Sequence, residues 1–172
     1  MKNLSLFIIL LALPMQWLSA QDANLKAFYT LNLIRYVGWN EGALDGDFVI
    51  SVVGNKEVAD QLRIHSAGKR FGHQYYVIRE CDKVEDVNFG QVVFIGKDIS
   101  LSTNSRQLLE KARNLGVLII TESEGMINQG AAVNFVTREE GLRFELNARN
   151  AGYANLQFSS RLEAMSAAIN LQ

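Results

Sequence analysis

The chain has 172 residues, 48% of them hydrophobic and 20% charged, and a formal net charge of −1 at pH 7. This length is enough for one domain with a single hydrophobic core, and a near-neutral charge without a long basic run excludes nucleic acid as the expected partner. The single cysteine, Cys81, excludes an intrachain disulfide and is either a sheltered thiol or half of an interchain disulfide.

The first 20 residues have the order of a secretory signal peptide. A basic residue, Lys2, precedes the apolar run Leu4–Leu13, and small residues lead up to Ala20. The apolar run is shorter than the about 20 residues that a membrane-spanning helix needs, and Pro14 ends it. We expect cleavage after Ala20, export, and a mature domain over residues 21–172 without direct membrane insertion.

The mature chain begins with a helix and then alternates strands with helices. Residues 22–39 carry apolar side chains at helical spacing around most of the circumference, which predicts a buried helix. The run Phe48–Val53 is nearly continuously β-branched, which indicates a strand that is covered on both faces. The predicted strands are Phe48–Val53, Tyr75–Ile78, Val92–Ile95 and Val117–Ile120, and the helices between them begin at Asn55 and at Ser102 or Asn104.

The pattern changes near the end of the chain. Ala132–Val136 and Leu142–Leu146 alternate apolar and polar residues around a short polar join, which predicts an antiparallel hairpin. A last helix near Ser159–Asn170 should bury Met165 and expose Ser166. The predicted fold class is α/β: a single three-layer α/β/α domain, with a mostly parallel sheet and the C-terminal antiparallel hairpin on its edge.

No motif indicates a catalytic residue, a metal site or a cofactor. His65 and His73 lie eight apart around a loop without metal-ligand spacing, and we interpret them as solvated. Nucleophile-elbow, dinucleotide-binding and P-loop motifs are absent, although a site assembled only in the fold would leave no such mark. The turn at Gly54 opens a helix that could hold an anion, or the glycine simply ends a strand. Glu122 and Glu124 are expected in solvated loops.

Two features suggest contact with a partner protein. Trp39 ends a very apolar segment, where it either caps the core or anchors a partner. Arg143, Glu145 and Asn147 fall on the alternate face of a strand whose other face is apolar. That face is either an ordinary solvent face or a surface that grips a partner, and these four residues are the predicted partner-binding set.

Segments spread over nearly the whole mature chain resemble one known family. They are Leu25–Phe28 with Val37–Trp39, Val49–Gly54, Val92–Ile95, Gly116–Ile119 with Gly130–Val136, and Leu142–Asn147 with Ser159–Leu162. In their order and spacing these blocks resemble the YfiR/HmsC-like periplasmic regulators. Two positions depart from the family pattern. Asn40 stands where members often have proline, and Gly90 stands where cysteine is common, which argues against redox control by an internal disulfide.

The resemblance implies a non-enzymatic repressor in the bacterial periplasm. Such a protein binds the periplasmic domain of an inner-membrane signalling enzyme, typically a diguanylate cyclase, and holds it inactive. Its release raises cyclic di-GMP and favours biofilm growth. A sensor kinase with a similar periplasmic domain is a second candidate receptor, and a homodimer is left open. The alternative function is a periplasmic small-ligand-binding protein that feeds a sensor kinase.

Overall fold

A computed structural model describes residues 14–99, 103–139 and 141–170. Most of the predicted signal peptide, and Ser102 as a predicted helix cap, lie outside these ranges. The helices are α1 (Pro14–Leu33), α2 (Lys56–Ser66), α3 (Thr103–Leu115), α4 (Ala148–Tyr153) and α5 (Ser160–Asn170). The strands are β1 (Val37–Gly38), β2 (Phe48–Val53), β3 (Arg70–Phe71), β4 (Gln74–Cys81), β5 (Val92–Ile95), β6 (Leu118–Thr121), β7 (Val133–Arg138), β8 (Gly141–Leu146) and β9 (Gln157–Phe158).

Seven strands form one sheet in the order β3-β4-β2-β5-β6-β7-β8. The five central strands run parallel, whereas β3 and β8 pair antiparallel with their neighbours at the two edges. β1 and β9 form a separate two-stranded antiparallel sheet. The predicted α/β class, the mostly parallel sheet and the hairpin on its edge are confirmed.

Two apolar clusters show that the sheet is covered on both faces. All six residues of β2 are buried, and the strand contributes Phe48, Ile50 and Val52 to one cluster and Val53 to the other. On one face, Phe48 and Ile50 pack with α1 and α2, and on the other, Val53 packs with α3. Burial on both faces therefore explains the β-branched run in the sequence. Because helices cover both faces of the sheet, the domain has the predicted three layers.

The first helix ends earlier than its apolar pattern predicts. α1 stops at Leu33, and a 3₁₀ turn over Ile34–Tyr36 leads into β1. There the Tyr36 carbonyl accepts a hydrogen bond from Ser159 N–H, and Val37 pairs with Phe158. Pairing with a distant segment therefore overrides the helical periodicity of residues 34–39.

The C-terminal elements also differ in detail from the prediction. β7 and β8 extend into the expected join, because Arg138 still pairs with Gly141, whose φ of 112° closes the turn. On α5 the predicted exposure is wrong for two residues: Met165 is 40% exposed, and Ser166 is 5% exposed. Ser166 lies four residues after the buried Leu162 and therefore shares its face of the helix.

Candidate functional site

One face of the β7–β8 hairpin carries a row of hydrogen-bonded polar side chains. Asn134 pairs directly with Glu145 across the hairpin, and its Nδ2 donates to Glu145 Oε2 at 2.9 Å. On the side towards β6, Thr121 Oγ1 donates to Asn134 Oδ1 at 2.7 Å. Arg138 Nη2 lies 3.6 Å from Glu145 Oε1. The row runs from the buried Thr121 to the accessible pair of Glu145 and Arg138.

Arg143 shares the hairpin face with Glu145, as the alternation predicts. It is half-buried and pairs with Val136 of β7. Phe144 between them points the other way, into the core, where its ring centroid lies 6.3 Å from that of Tyr29. The two charged residues are therefore placed together on a surface that a partner could reach, and their binding role stays a prediction.

Asn147 has a structural task that the sequence prediction did not include. It is the N-cap residue of α4, and its side chain accepts a hydrogen bond from Asn150 N–H at 3.0 Å. Capping satisfies a backbone donor that the first turn of a helix otherwise leaves without a partner. Any role of Asn147 in partner binding would have to coexist with this cap.

Trp39 lies far from the hairpin face and packs against the core. Its Nε1 donates to the Ile34 carbonyl at 3.1 Å, and its ring centroid lies 5.2 Å from that of Phe48 and 6.3 Å from that of Phe71. Phe48 belongs to β2, and three strands separate β2 from β8. At the usual strand spacing this is about 19 Å. The structure therefore does not bring Trp39 together with Arg143, Glu145 and Asn147.

The carboxyl ends of the parallel strands meet in a polar crevice of about 220 Å³. β4 lies on one side of β2 and β5 lies on the other, so the direction of winding changes between β2 and β5. Open α/β sheets form their ligand crevices at such a point. The residues that line the crevice are Asp22, Ala23, Lys26, Gly54, Asn55, Glu57, Lys97, Asp98 and Glu122.

A single buried carboxylate organises this crevice. The Glu122 side chain is 1% exposed and directly follows β6. Its Oε2 accepts a hydrogen bond from Lys26 Nζ at 2.6 Å. Its Oε1 accepts from Asn55 Nδ2 at 2.6 Å and from the backbone N–H of Lys97 at 2.9 Å. Glu122 thereby ties α1, the start of α2 and the segment after β5 to the end of β6.

Lys26 is held in its charged form by two carboxylates. Burial by itself lowers the pKa of Lys26, but hydrogen bonds to Asp22 and Glu122 raise it by more, so its pKa lies above the ordinary value. The Nζ atom lies 2.5 Å from Asp22 Oδ2. A lysine that stays protonated at neutral pH does not act as a general base, and the arrangement serves to fix α1 on the sheet.

The expectation that Glu122 lies in a solvated loop is wrong. The residue follows the buried strand β6 as Gly54 follows β2, and the carboxyl ends of neighbouring parallel strands meet at one edge. The position of Glu122 directly after a buried strand is therefore a sequence signal for this site. Its partner Lys26, however, lies 96 positions away and cannot be identified from the sequence. Backbones also approach closely here, since a Cβ on Gly96 would lie 2.6 Å from the Gly54 carbonyl oxygen.

A small apolar pocket with a cationic rim lies on the seam between α1 and α2. Phe28 is 50% exposed, and its ring centroid lies 6.2 Å from that of His65 in an edge-to-face arrangement. His65 is in the last turn of α2 and is half-buried, so its interpretation as a solvated loop residue is wrong. The pocket has a volume of about 70 Å³, and its lining residues are Phe28, Leu31, Asn32, Arg35, His65, Lys69 and Tyr76.

The described part of the chain contains neither a metal-ligand cluster nor a membrane-spanning helix. Over those residues no group of three or more His, Cys, Asp or Glu side chains is placed to hold a metal ion. The same ranges contain no helix with the length and apolar character needed to cross a bilayer. Cys81 is a half-buried free thiol whose pKa is raised by burial and by nearby acidic residues.

Comparison with known proteins assigns most of the chain to a family. No curated protein matches the chain. A family described as YfiR/HmsC-like, known for periplasmic regulation of diguanylate cyclases, matches residues 23–166. This range runs from the buried Ala23 of α1 to the buried Ser166 of α5. Because it covers well over half of the sequence, the chain belongs to the YfiR/HmsC-like family.

Proposed function

We propose that this protein is a periplasmic, non-enzymatic repressor that binds and inhibits the periplasmic domain of an inner-membrane diguanylate cyclase or a similar sensor. The observation that carries the proposal is the family match over residues 23–166, which runs from α1 into α5. Repression in this form needs a binding surface and no reactive group. The protein only has to bind the inactive receptor more tightly than the active one.

The required selectivity sets a quantitative demand on that surface. Moving a receptor from almost fully active to almost fully inactive takes about 10⁴-fold preference for the inactive state. Charged groups that are already held in position contribute to such selectivity, because less conformational freedom is lost on binding. Glu145 meets this condition through its bonds to Asn134 and Arg138, and Arg143 lies beside it. We therefore include the hairpin face in the proposed receptor-binding surface.

Binding to the receptor provides the direct test. The protein purified from the periplasm is titrated against the periplasmic domain of a diguanylate cyclase encoded beside it, and cyclic di-GMP is measured in cells with and without the repressor. We expect complex formation, and higher cyclic di-GMP after deletion. Glu145→Ala should weaken binding about tenfold, whereas Glu110→Ala, which removes an exposed carboxylate from α3, should not. Absence of both binding and any change in cyclic di-GMP contradicts the proposal.

Export is the second part of the proposal. Cleavage after Ala20 would fall inside α1 and leave residues 21–33 of that helix, including the ion pair of Asp22 and Lys26. Intact-mass measurement of the periplasmic protein should give a chain that starts at Gln21. A full-length chain found in the cytoplasm would contradict export.

A small-ligand-binding protein that feeds a sensor kinase is the second candidate function. The crevice at the carboxyl ends of the strands favours it, because ligands of open α/β sheets bind at this position. Thermal shift against periplasmic metabolites distinguishes the two functions. Stabilisation by a ligand, lost in Lys97→Ala and without any receptor complex, would favour the alternative.

A further inference from the structure

The pocket between α1 and α2 combines an accessible apolar surface with unbalanced positive charge. Phe28 is 50% exposed, and the half-buried Tyr76 also lines the pocket. Arg35 and Lys69, both exposed, supply two cations, and no acidic side chain is among the described residues that line the pocket. This local excess contrasts with the net charge of −1 for the whole chain.

His65, one of the lining residues, has a buried polar atom whose bonding is incomplete. Its Nε2 makes no hydrogen bond to any residue that the structure describes, although buried polar atoms usually have one. The pocket itself is held in shape by its neighbours. Asn24 Nδ2 donates to Gln61 Oε1 across the same seam at 3.0 Å, and Asn32 Nδ2 donates to the Phe28 carbonyl at 2.8 Å.

We propose that this pocket docks a segment of the receptor that presents an apolar side chain next to an acidic one. The apolar side chain packs on Phe28 and Tyr76, and the carboxylate lies between Arg35 and Lys69. Exposed aromatic residues and arginine are enriched among the residues that carry binding energy at protein interfaces. Complementary charge also accelerates association. This inference rests on the proposed function, because the occupant is the same receptor.

The small volume of the pocket and the exposure of Arg35 and Lys69 at its rim favour a protein segment as the occupant. A volume of about 70 Å³ is well below the about 300 Å³ of a typical small-molecule site. One side chain of a larger partner fits it, while the rest of that partner covers the exposed rim. A free small acid that binds here without the receptor is an outcome that overturns the proposal.

Charge reversal tests the cationic rim. Receptor affinity is measured by titration for the wild-type protein and for the double variant Arg35→Glu with Lys69→Glu. We expect at least a hundredfold loss, mainly through slower association, and a weaker dependence on salt between 50 and 500 mM NaCl. The matched control is Arg106→Glu with Lys111→Glu, which reverses two exposed cations on α3 and should change affinity less than threefold.

Removing the aromatic anchor tests the apolar half. Phe28→Ala should weaken receptor binding about tenfold, whereas Tyr153→Ala, at a residue that is 56% exposed on α4, should leave it unchanged. Arg35→Lys should keep most of the affinity in the wild-type background. Circular dichroism and thermal melts confirm that each variant is folded.

The outcomes separate this inference from the proposed function. If the wild-type protein binds no receptor, the proposed function fails and the docking site fails with it. If the wild-type protein binds and both the charge-reversal and the Phe28 variants bind equally well, the docking site is wrong and the repressor function stands. If the two controls weaken binding as much as the test variants, the receptor covers another face and the inference is overturned.

Discussion

Glu122 and Glu145 have similar partners but opposite environments. Glu122 directly follows β6 and Glu145 lies in β8. Each accepts a hydrogen bond from an asparagine and pairs with a cation. The Glu122 side chain is 1% exposed, with Lys26 Nζ at 2.6 Å. The Glu145 side chain is 29% exposed, with Arg138 Nη2 at 3.6 Å. Burial, rather than the type of partner, therefore separates a group that holds the fold from one that is available at the surface.

The difference has a direct energetic consequence. Removing one member of a buried ion pair leaves the other charge without solvent or a partner. Removing one member of an exposed pair returns the other to water at little cost. The buried network should therefore determine stability, and the hairpin face should be able to change with little effect on the fold.

The largest effect is expected from Glu122→Ala. It leaves Lys26 with Asp22 alone and removes the acceptor for Asn55 and for the Lys97 N–H. We expect a loss of about 3 kcal/mol in the free energy of unfolding and a melting temperature lower by about 10 °C. Urea denaturation and thermal melts measure both. Glu122→Gln keeps the shape and an acceptor and should lose less. Equal losses in the two variants would mean that the charge of Glu122 carries the whole effect and that its shape and hydrogen-bond acceptor contribute nothing.

A smaller effect is expected at the two helix caps, which form a matched pair. Asn55 Oδ1 accepts from Val58 N–H at 3.0 Å, and Asn147 Oδ1 accepts from Asn150 N–H at 3.0 Å. Only the Asn55 amide also donates to Glu122. Asn147→Ala should cost about 1 kcal/mol and Asn55→Ala about 2 kcal/mol of unfolding free energy. Equal costs would show that the bond to Glu122 contributes nothing.

The sequence predicts the strands well because their burial is local information. The run Phe48–Val53 is apolar on both faces, and the structure gives a strand with the same bounds. Trp39 shows the limit, since the apolar spacing of residues 34–39 is helical while β9 pairs with β1. No local pattern contains that pairing, because it depends on a segment more than a hundred positions away.

The sequence predicts the site less well than the fold, for the same reason. Alternation along a strand puts Arg143 and Glu145 on one face. The sequence suggests a solvated loop for Glu122, because an acidic residue next to a turn has no visible partner in the sequence. Its burial depends on Lys26, which α1 brings across the end of the sheet. Charged residues that follow buried parallel strands are the signal to examine in such sequences.

Alkaline pH should weaken the buried network selectively. The pKa of Lys26 is raised in the folded state by Asp22 and Glu122 despite its burial. Its contribution to stability is therefore fully present below its ordinary pKa of about 10.4 and is lost as the pH rises through the folded-state pKa. Unfolding free energies from pH 9 to 11.5 should fall more steeply for the wild-type protein than for Lys26→Met. Parallel slopes would show that Lys26 does not provide this linkage.

The smallest effect on stability is expected from Glu145→Ala. The substitution removes the partner of the exposed Arg138, which water then solvates, and the acceptor for Nδ2 of the buried Asn134. Because the Glu145 side chain is itself 29% exposed, we expect water to enter the space it leaves and to replace that acceptor. We expect a loss below about 1 kcal/mol in unfolding free energy, measured by urea denaturation alongside Glu122→Ala. A loss as large as that of Glu122→Ala would mean that the polar row from Thr121 to Glu145 is part of the structural core. The hairpin face could then not be assigned to receptor binding from mutational data alone, because each substitution there would also disturb the fold.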